Sequence, residues 1–348
     1  MRALTVVPRH RDSAALEDLT GPVGDAHGVQ VKSICVGVCG TDVEMVNGDY
    51  GWASPERTRL VLGHECVARI ERAQSGFSAG EYVIPIVRRP DPVPCSSCAA
   101  GEWDMCRNGQ YTEHGIKELD GFCAEELRIH PDFLVRAPAH LARLAVLVEP
   151  ASVVAKAWEH IERIGRRANW NPRRVLITGA GPIGLLALLF ARQRGLDAWV
   201  YDRAHEGPKP TLARRAGANY LHEDLAGLLR REPPDIVLEC TGADALVLEV
   251  MQANAPGAVT CLVGVSAAGR KIPVDVGSLN RSLVLENDVI FGSVNANRRH
   301  YEQAVAALAA ADTEWLAALI TRRVPLVDWP SALHREPDDV KVVIDVAA

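Results

Sequence analysis

No stretch of this 348-residue chain strings together the roughly 20 apolar residues that span a bilayer, and the opening MRALTVVPRHRDSAALEDL lacks the apolar core of a secretory signal. No membrane partner is expected, and the expected location is the cytoplasm. Positive charge is not in excess either: Lys and Arg number 38 against 44 Asp and Glu, a net charge of −6. That leaves no basic footprint of the kind a phosphate backbone demands, so nucleic acid drops out as an expected partner and a small molecule takes its place. Repeats and low-complexity tracts are missing as well. The nine cysteines make an odd number in a chain without an export signal, which reads as reduced thiols and metal ligands rather than as a disulfide framework.

What is present divides in two. At 48% apolar, a chain of this length exceeds one ordinary core and predicts two domains. In the first part, short β-rich runs such as VQVKSICVGV (29–38) and EYVIPIV (81–87) sit among Gly and Pro turns, the punctuation of an irregular, mostly β domain. Later, RVLIT (174–178), AWVY (198–201), DIVLEC (235–240) and AVTCLVG (258–264) are short apolar strands separated by helix-length segments. That rhythm predicts a parallel sheet with crossover helices. Residues 298–320, RRHYEQAVAALAAADTEWLAALI, predict a helical pair that returns to the first domain.

Between the first of those strands and the helix after it, Gly179, Gly181 and Gly184 make GxGxxG. Gly179 permits a tight turn, Gly181 leaves room for a pyrophosphate against the backbone, and Gly184 lets helix and strand pack closely. The phosphates then face a helix N-terminus, where unpaired N–H groups and the dipole favour an anion. Asp202, at the end of the next strand, can accept hydrogen bonds from ribose hydroxyls, which favours NAD. Arg203 beside it could instead meet a 2′-phosphate, so NADP stays open.

Chemistry of a second kind is carried by VGVCGTDVEM (36–45) and VLGHECVA (61–68), which bring Cys39, Thr41, Asp42, His64 and Glu65 into two short stretches. A thiolate and an imidazole are ligands that zinc prefers, and a catalytic zinc needs one more protein ligand plus an open position. Alone, either Cys39 or His64 reads as a core residue. A third stretch, RRPDPVPCSSCAAGEWDMC (88–106), holds Cys95, Cys98 and Cys106 at zinc-like spacing, but a closed structural site has four ligands.

Taken in order, VCGTD, LGHE, the cysteine stretch and GAGPIG resemble the zinc-dependent medium-chain dehydrogenases over nearly the whole chain. Within that superfamily, GQYTEHGIKELDGFCAEELRIHPDFLVRAPAHL (109–141), LVEPASVVAKAWEH (147–160), VRRP (87–90) and GSVNAN (292–297) resemble the glucose 1-dehydrogenase branch. The resemblance implies an α/β chain: a GroES-like, mostly β catalytic domain (1–152 and 295–348) and a Rossmann domain with a doubly wound parallel sheet (153–294), with the active site in the cleft between them. It implies a catalytic zinc on Cys39 and His64, completed by Glu149 or Glu65, with Asp42 orienting the imidazole from behind. Thr41 would begin a proton relay, joined by Glu44. Family members close the lobe zinc with four cysteines, of which this chain has the last three. Asp91 is the expected fourth ligand, and a metal-free lobe with free thiols is the alternative.

The resemblance also implies that Glu113, Glu149, Thr41 and Asn295 bind the sugar, with His114 and Asp120 as lesser candidates. Val87 and Val153 stand where some members of the branch carry polar residues. Expected dinucleotide contacts are Gly179, Ala180, Gly181, Pro182, Ile183 and Gly184 of the loop, then Asp202, Arg203, Thr241, Val263, Gly264, Val265, Ser293, Val294 and Asn295. The implied reaction is zinc-assisted oxidation of an aldose, D-glucose first, at C1 to the lactone, with hydride passing to NAD(P). A polyol, a secondary alcohol or L-threonine is the alternative substrate, and a homodimer or homotetramer is the expected assembly.

Overall fold

The computed structural model describes residues 1–252, 254–266 and 271–347, and contacts divide the chain into two compact units, Met1–Ser152 with Asn295–Ala348, and Val153–Val294. No helix among the described residues is long and apolar enough to cross a membrane.

The first unit is organised by the strand Val29–Val38, whose residues Val29, Val31, Ser33 and Cys35 are buried with the period of two that a half-buried strand requires. Most of its length pairs antiparallel with Glu65–Ile70. Its first half also pairs with Glu126–Ile129 and its second half with Lys341–Asp345, so the C-terminal strand is built into the same sheet. Tyr82–Pro85 and Leu134–Ala137 extend that sheet beyond Glu65–Ile70. Leu4, Val31, Met45, Leu62, Phe122 and Ile344 belong to the apolar core that this sheet covers. The predicted helical pair forms as Arg298–Ala309 and Thr313–Leu319.

The second unit is a six-stranded, all-parallel sheet in the order Asn219–Leu221, Asp197–Tyr201, Arg174–Thr178, Ile236–Glu239, Val259–Leu262, Val289–Gly292. This is the Rossmann order 3-2-1-4-5-6, whose reversal falls between Arg174–Thr178 and Ile236–Glu239. The four central strands are those the apolar runs predict. The two outer strands escape that pattern for a physical reason: none of their residues is fully buried, so their composition need not be continuously apolar.

Gly179 turns through φ +87°, and the helix Pro182–Gln193 starts at once with Pro182 at its first position and Leu185, Leu186 and Leu188 buried. A Cβ on Gly184 would run into the carbonyl of Gly179. Gly184→Val should therefore lower unfolding stability by about 1–3 kcal/mol and weaken dinucleotide binding together; a variant with wild-type urea midpoint and wild-type NAD affinity would show that this close packing is dispensable.

Candidate functional site

Cys39 is the N-cap of the short helix Gly40–Val46. Its sulfur accepts the Thr41 N–H at 3.2 Å, while the Asp42 carboxylate reaches back to the Cys39 N–H at 2.9 Å, a reciprocal cap that fixes both side chains. His64 enters from the turn before Glu65–Ile70, placing Nε2 3.0 Å from the Cys39 sulfur and Nδ1 3.3 Å from Asp42 Oδ1. One ring nitrogen thus faces the carboxylate that orients it, and the other faces the thiol.

Cys39, His64 and Glu65 offer donor atoms within 4.8 Å of one another. Burial alone would lower His64, but Cys39 and Asp42 on its two sides raise it well above its ordinary value. Asp42 shows the converse: burial pushes it up, and the His64 ring with the Cys39 N–H more than reverses this. Glu149, at the start of the helix Val148–Gly165, is outside the group of three donors, yet burial, resisted by His64 and reinforced by Glu65, pushes its carboxyl up to about 7. The pocket gathers thiol and carboxylate groups round one imidazole and favours a cation.

Part of that charge is met by the protein. The Lys341 ammonium is buried, pairs with Glu65 Oε2, and donates to the Val38 carbonyl at 2.9 Å. Gly37, between the two strands, leaves the space; a Cβ there would lie 2.8 Å from Lys341 Cε and inside the Glu65 carboxylate. Thr41 is half-buried beside Cys39, whereas Glu44 is exposed.

A second cluster in the same unit centres on Glu113, which is buried. Arg88 donates to its Oε1 from Nε at 3.0 Å and Nη2 at 2.9 Å, and the guanidinium lies 3.6 Å from the centre of the Tyr111 ring. The Asn295 side-chain amide donates to the same oxygen, from a backbone held at φ +64°. Glu113 Oε2 makes no hydrogen bond among the described residues. His114 and Asp120, by contrast, are spent on local structure. The His114 ring stacks on Phe122, Nδ1 is 2.6 Å from the Asp120 carbonyl, and burial with Arg89 nearby holds the ring well below its ordinary pKa. The Asp120 carboxylate takes Arg57 and the Val61 N–H. Val87 is buried and Val153 half-buried.

In the lobe, the sulfurs of Cys95, Cys98 and Cys106 gather within 4.8 Å. The N–H groups of Arg107 and Cys98 pull the Cys95 thiol down to about 6, and burial pushes Cys98 up to about 11. Asp91 is the expected fourth ligand. It is buried but its carboxylate is not among the gathered donors, because one oxygen accepts the Val93 N–H at 2.8 Å and the other the Asn108 amide at 2.8 Å. A carboxylate two residues before an N–H, with Pro92 between, satisfies its own backbone first.

In the Rossmann unit the expected dinucleotide positions fall at the C-terminal ends of successive parallel strands: Gly179 to Gly184, Asp202 and Arg203, Thr241, Val263 to Val265, and Ser293 with Val294. Asp202 Oδ2 accepts the Ala180 N–H at 2.7 Å and Oδ1 the Ala204 N–H at 2.9 Å, while Arg203 is exposed. Glu239, fully buried, accepts from Thr178 Oγ1 at 3.1 Å and from the Thr241 N–H at 2.8 Å. Its carbonyl takes the Val263 and Gly264 N–H groups. Asn295, expected at both sites, lies with Glu113 in the first unit.

Sequence reasoning missed Lys341, Arg88, Tyr111 and Glu239. A lysine inside the apolar run VKVVIDV and a glutamate closing the apolar strand DIVLE are the available signals, because a charge in a buried strand needs a partner.

Comparison with known proteins was consistent along the chain. The family described as glucose dehydrogenase C-terminus matches residues 142–346, and the alcohol dehydrogenase GroES-like domain matches residues 25–139. Glucose 1-dehydrogenase of Methanocella arvoryzae is 35% identical over all of both chains, and that of Thermoproteus tenax 38% identical over 99% of each. Among solved structures, the glucose dehydrogenase of Haloferax mediterranei in complex with NADP, Zn and gluconolactone superposes with a TM-score of 0.92, covering all of both chains at 28% identity.

Lys341→Met would strand the buried Glu65 carboxylate and should cost about 3–5 kcal/mol in chemical denaturation. Lys341→Met combined with Glu65→Gln should regain most of that loss, and additive losses in the double variant would argue against a direct pair.

Proposed function

The chain belongs to the glucose dehydrogenase family of zinc-dependent medium-chain dehydrogenases, and from that premise we propose that it oxidises an aldose, D-glucose first, at C1 to the aldonolactone while reducing a nicotinamide dinucleotide. The observation that carries the reading is the convergence of half-buried Cys39 with buried His64 and Glu65, with the raised carboxyl of Glu149 close enough to feel two of them.

One thiol, one imidazole and nearby carboxylates form a donor set that fits zinc, and the surplus of anionic groups round His64 fits a cation. Cys39, His64 and Glu149 would hold the ion, with Glu65 held back by Lys341 and available in exchange. When bound, zinc supplies Lewis acidity that lowers the pKa of a substrate hydroxyl. The remaining work belongs to the chain. Asp42 keeps the His64 tautomer, and Thr41 takes the first step of the proton's exit. Glu113 Oε2 accepts a sugar hydroxyl, with Arg88 holding the carboxylate in place through Oε1. Asn295 braces Glu113 from the other side and gives the site an amide for a further hydroxyl. A substrate without those hydroxyls leaves buried polar atoms unpaired, which is the source of discrimination. Cys95, Cys98 and Cys106 would hold a second zinc through three thiolates.

NAD is the proposed acceptor in preference to NADP, because the Asp202 carboxylate at the strand end repels a 2′-phosphate, with the exposed Arg203 as the opposing influence. Residues 1–152 with 295–348 act as the catalytic domain and 153–294 as the dinucleotide domain. A homodimer is supported by the outer strand Val289–Gly292 and by Val276, Val284 and Leu285, which are 64%, 66% and 60% exposed on the helix Val276–Glu286. Nine thiols with no disulfide favour the cytoplasm.

Initial rates with a panel of aldoses, sorbitol and L-threonine, each with both cofactors and with zinc counted per chain, test the reading; a higher kcat/KM for sorbitol or threonine than for every aldose would overturn it. Cys39→Ala should remove one zinc and abolish turnover while leaving dinucleotide affinity nearly unchanged, and retained turnover would remove Cys39 from the chemistry. Asp202→Ala should shift the NAD-to-NADP preference toward NADP by about 1–2 kcal/mol, near tenfold in the ratio of kcat/KM. An unaltered ratio would take Asp202 out of the ribose site.

A further inference from the structure

We propose that His205, His222 and Glu223 form a site for a divalent transition-metal ion, zinc being the type, at one edge of the Rossmann sheet and distinct from both cysteine clusters. One donor atom from each of the three lies within 4.8 Å of the others. The two imidazole rings are 4.3 Å apart between centroids at 50°, and His222 Nε2 is 3.9 Å from Glu223 Oε1. Two ligands each about 2.1 Å from a tetrahedral zinc are about 3.4 Å apart, so side-chain rotation alone closes this set on an ion.

The backbone builds the convergence. Asp202 Oδ1 accepts the Ala204 N–H at 2.9 Å and the Tyr220 hydroxyl donates to the Ala204 carbonyl at 2.6 Å. The residue before His205 is thereby tied both to the end of Asp197–Tyr201 and to Asn219–Leu221. On the other side the chain bends at 222–223, and Asp224, at φ +50°, caps the helix Leu225–Arg231 by accepting the Gly227 N–H at 3.0 Å. On an extended strand, neighbouring side chains point to opposite faces; the bend is what turns His222 and Glu223 to one point. Among the described residues neither imidazole makes a hydrogen bond, and Glu223 pairs with His222 alone.

The ligand chemistry narrows the occupant. Two imidazoles and one carboxylate suit zinc, nickel or copper, whereas magnesium and calcium take oxygen sets. Three protein ligands with His205 and Glu223 exposed leave positions for water, so the ion is exchangeable. Its role follows from what it ties together. His205 is in the same short segment as Asp202, whose other oxygen holds the Ala180 N–H of the glycine loop at 2.7 Å. An ion there locks the segment assigned above to the ribose, a role that rests on that assignment, and by linkage metal and dinucleotide tighten each other's binding by one factor.

The test uses tag-free, full-length enzyme dialysed at fixed micromolar free zinc, with zinc counted per chain by mass spectrometry in wild type, His205→Ala, His222→Ala and Glu223→Gln. Each variant should hold one zinc fewer than wild type, with the wild-type thermal midpoint once free zinc is buffered to nanomolar; equal zinc in wild type and in the His205→Ala/His222→Ala double variant would overturn the site. The Kd for NAD, compared at micromolar and at buffered nanomolar free zinc, should fall about fivefold or more with zinc in wild type and not in the double variant. Equal tightening in both would overturn the clamp. Because counting metal requires no turnover, failure of this site is distinguishable from failure of the aldose reading.

Discussion

The first unit depends on one buried ion pair, Lys341 with Glu65. Glu65 begins the strand that follows His64, and Lys341 begins the last strand of the chain; both strands pair with Val29–Val38, and the gap between them is open because the residue there is Gly37. A buried carboxylate with no partner would cost several kcal/mol, so docking of the C-terminal strand, which brings Lys341 to Glu65, stabilises the pocket beside His64. The pair thus joins residues far apart in sequence and ties the last strand to the strand that follows His64.

Around that pair the pocket separates carboxyl groups that composition alone would treat alike. Asp42 is held below its ordinary range by the His64 ring and the Cys39 N–H, against the pull of burial. Glu149 is pushed up to about 7 because burial and Glu65 outweigh what His64 supplies. The same surroundings therefore hold one carboxylate, which faces the imidazole, below its ordinary range and raise the other above it. Division of labour arises from hydrogen-bond supply: Asp42 has an N–H pointed at it by the helix cap, and Glu149, at a helix start, does not share that cap.

These relations explain what could be read from sequence. Cys39, His64 and the glycine loop are legible because each works within a few residues of chain: a cap, a turn, a tight bend between strand and helix. Lys341, Arg88 and Glu239 work through partners brought up by tertiary pairing, and no spacing rule connects Arg88 to Glu113 or Lys341 to Glu65. What remains visible of Lys341 and Glu239 is a charge in the wrong place, inside an apolar strand. Asp91 is a different case: its position four residues before Cys95 suits a ligand, and in the structure its carboxylate accepts the Val93 N–H and the Asn108 amide, partners that sequence spacing does not reveal. The outer strands Asn219–Leu221 and Val289–Gly292 are faint for a related reason, since a strand with a neighbour on one side is not obliged to be apolar throughout.

The two units solve the same problem, holding an anion in a buried place, by different means. In the Rossmann unit Glu239 is satisfied by backbone and hydroxyl donors from Thr178 and Thr241, so its charge is dispersed over a loop whose shape it fixes. In the catalytic unit Glu113 and Glu65 are satisfied by the cationic side chains Arg88 and Lys341. Backbone donors cannot be displaced without unfolding the loop, which suits a scaffold that has only to present N–H groups to a phosphate. Side-chain cations hold a carboxylate through flexible stems and can move without unfolding the backbone around it. Glu113 follows this logic: Arg88 and Asn295 both take Oε1, and Oε2 is left without a hydrogen bond among the described residues.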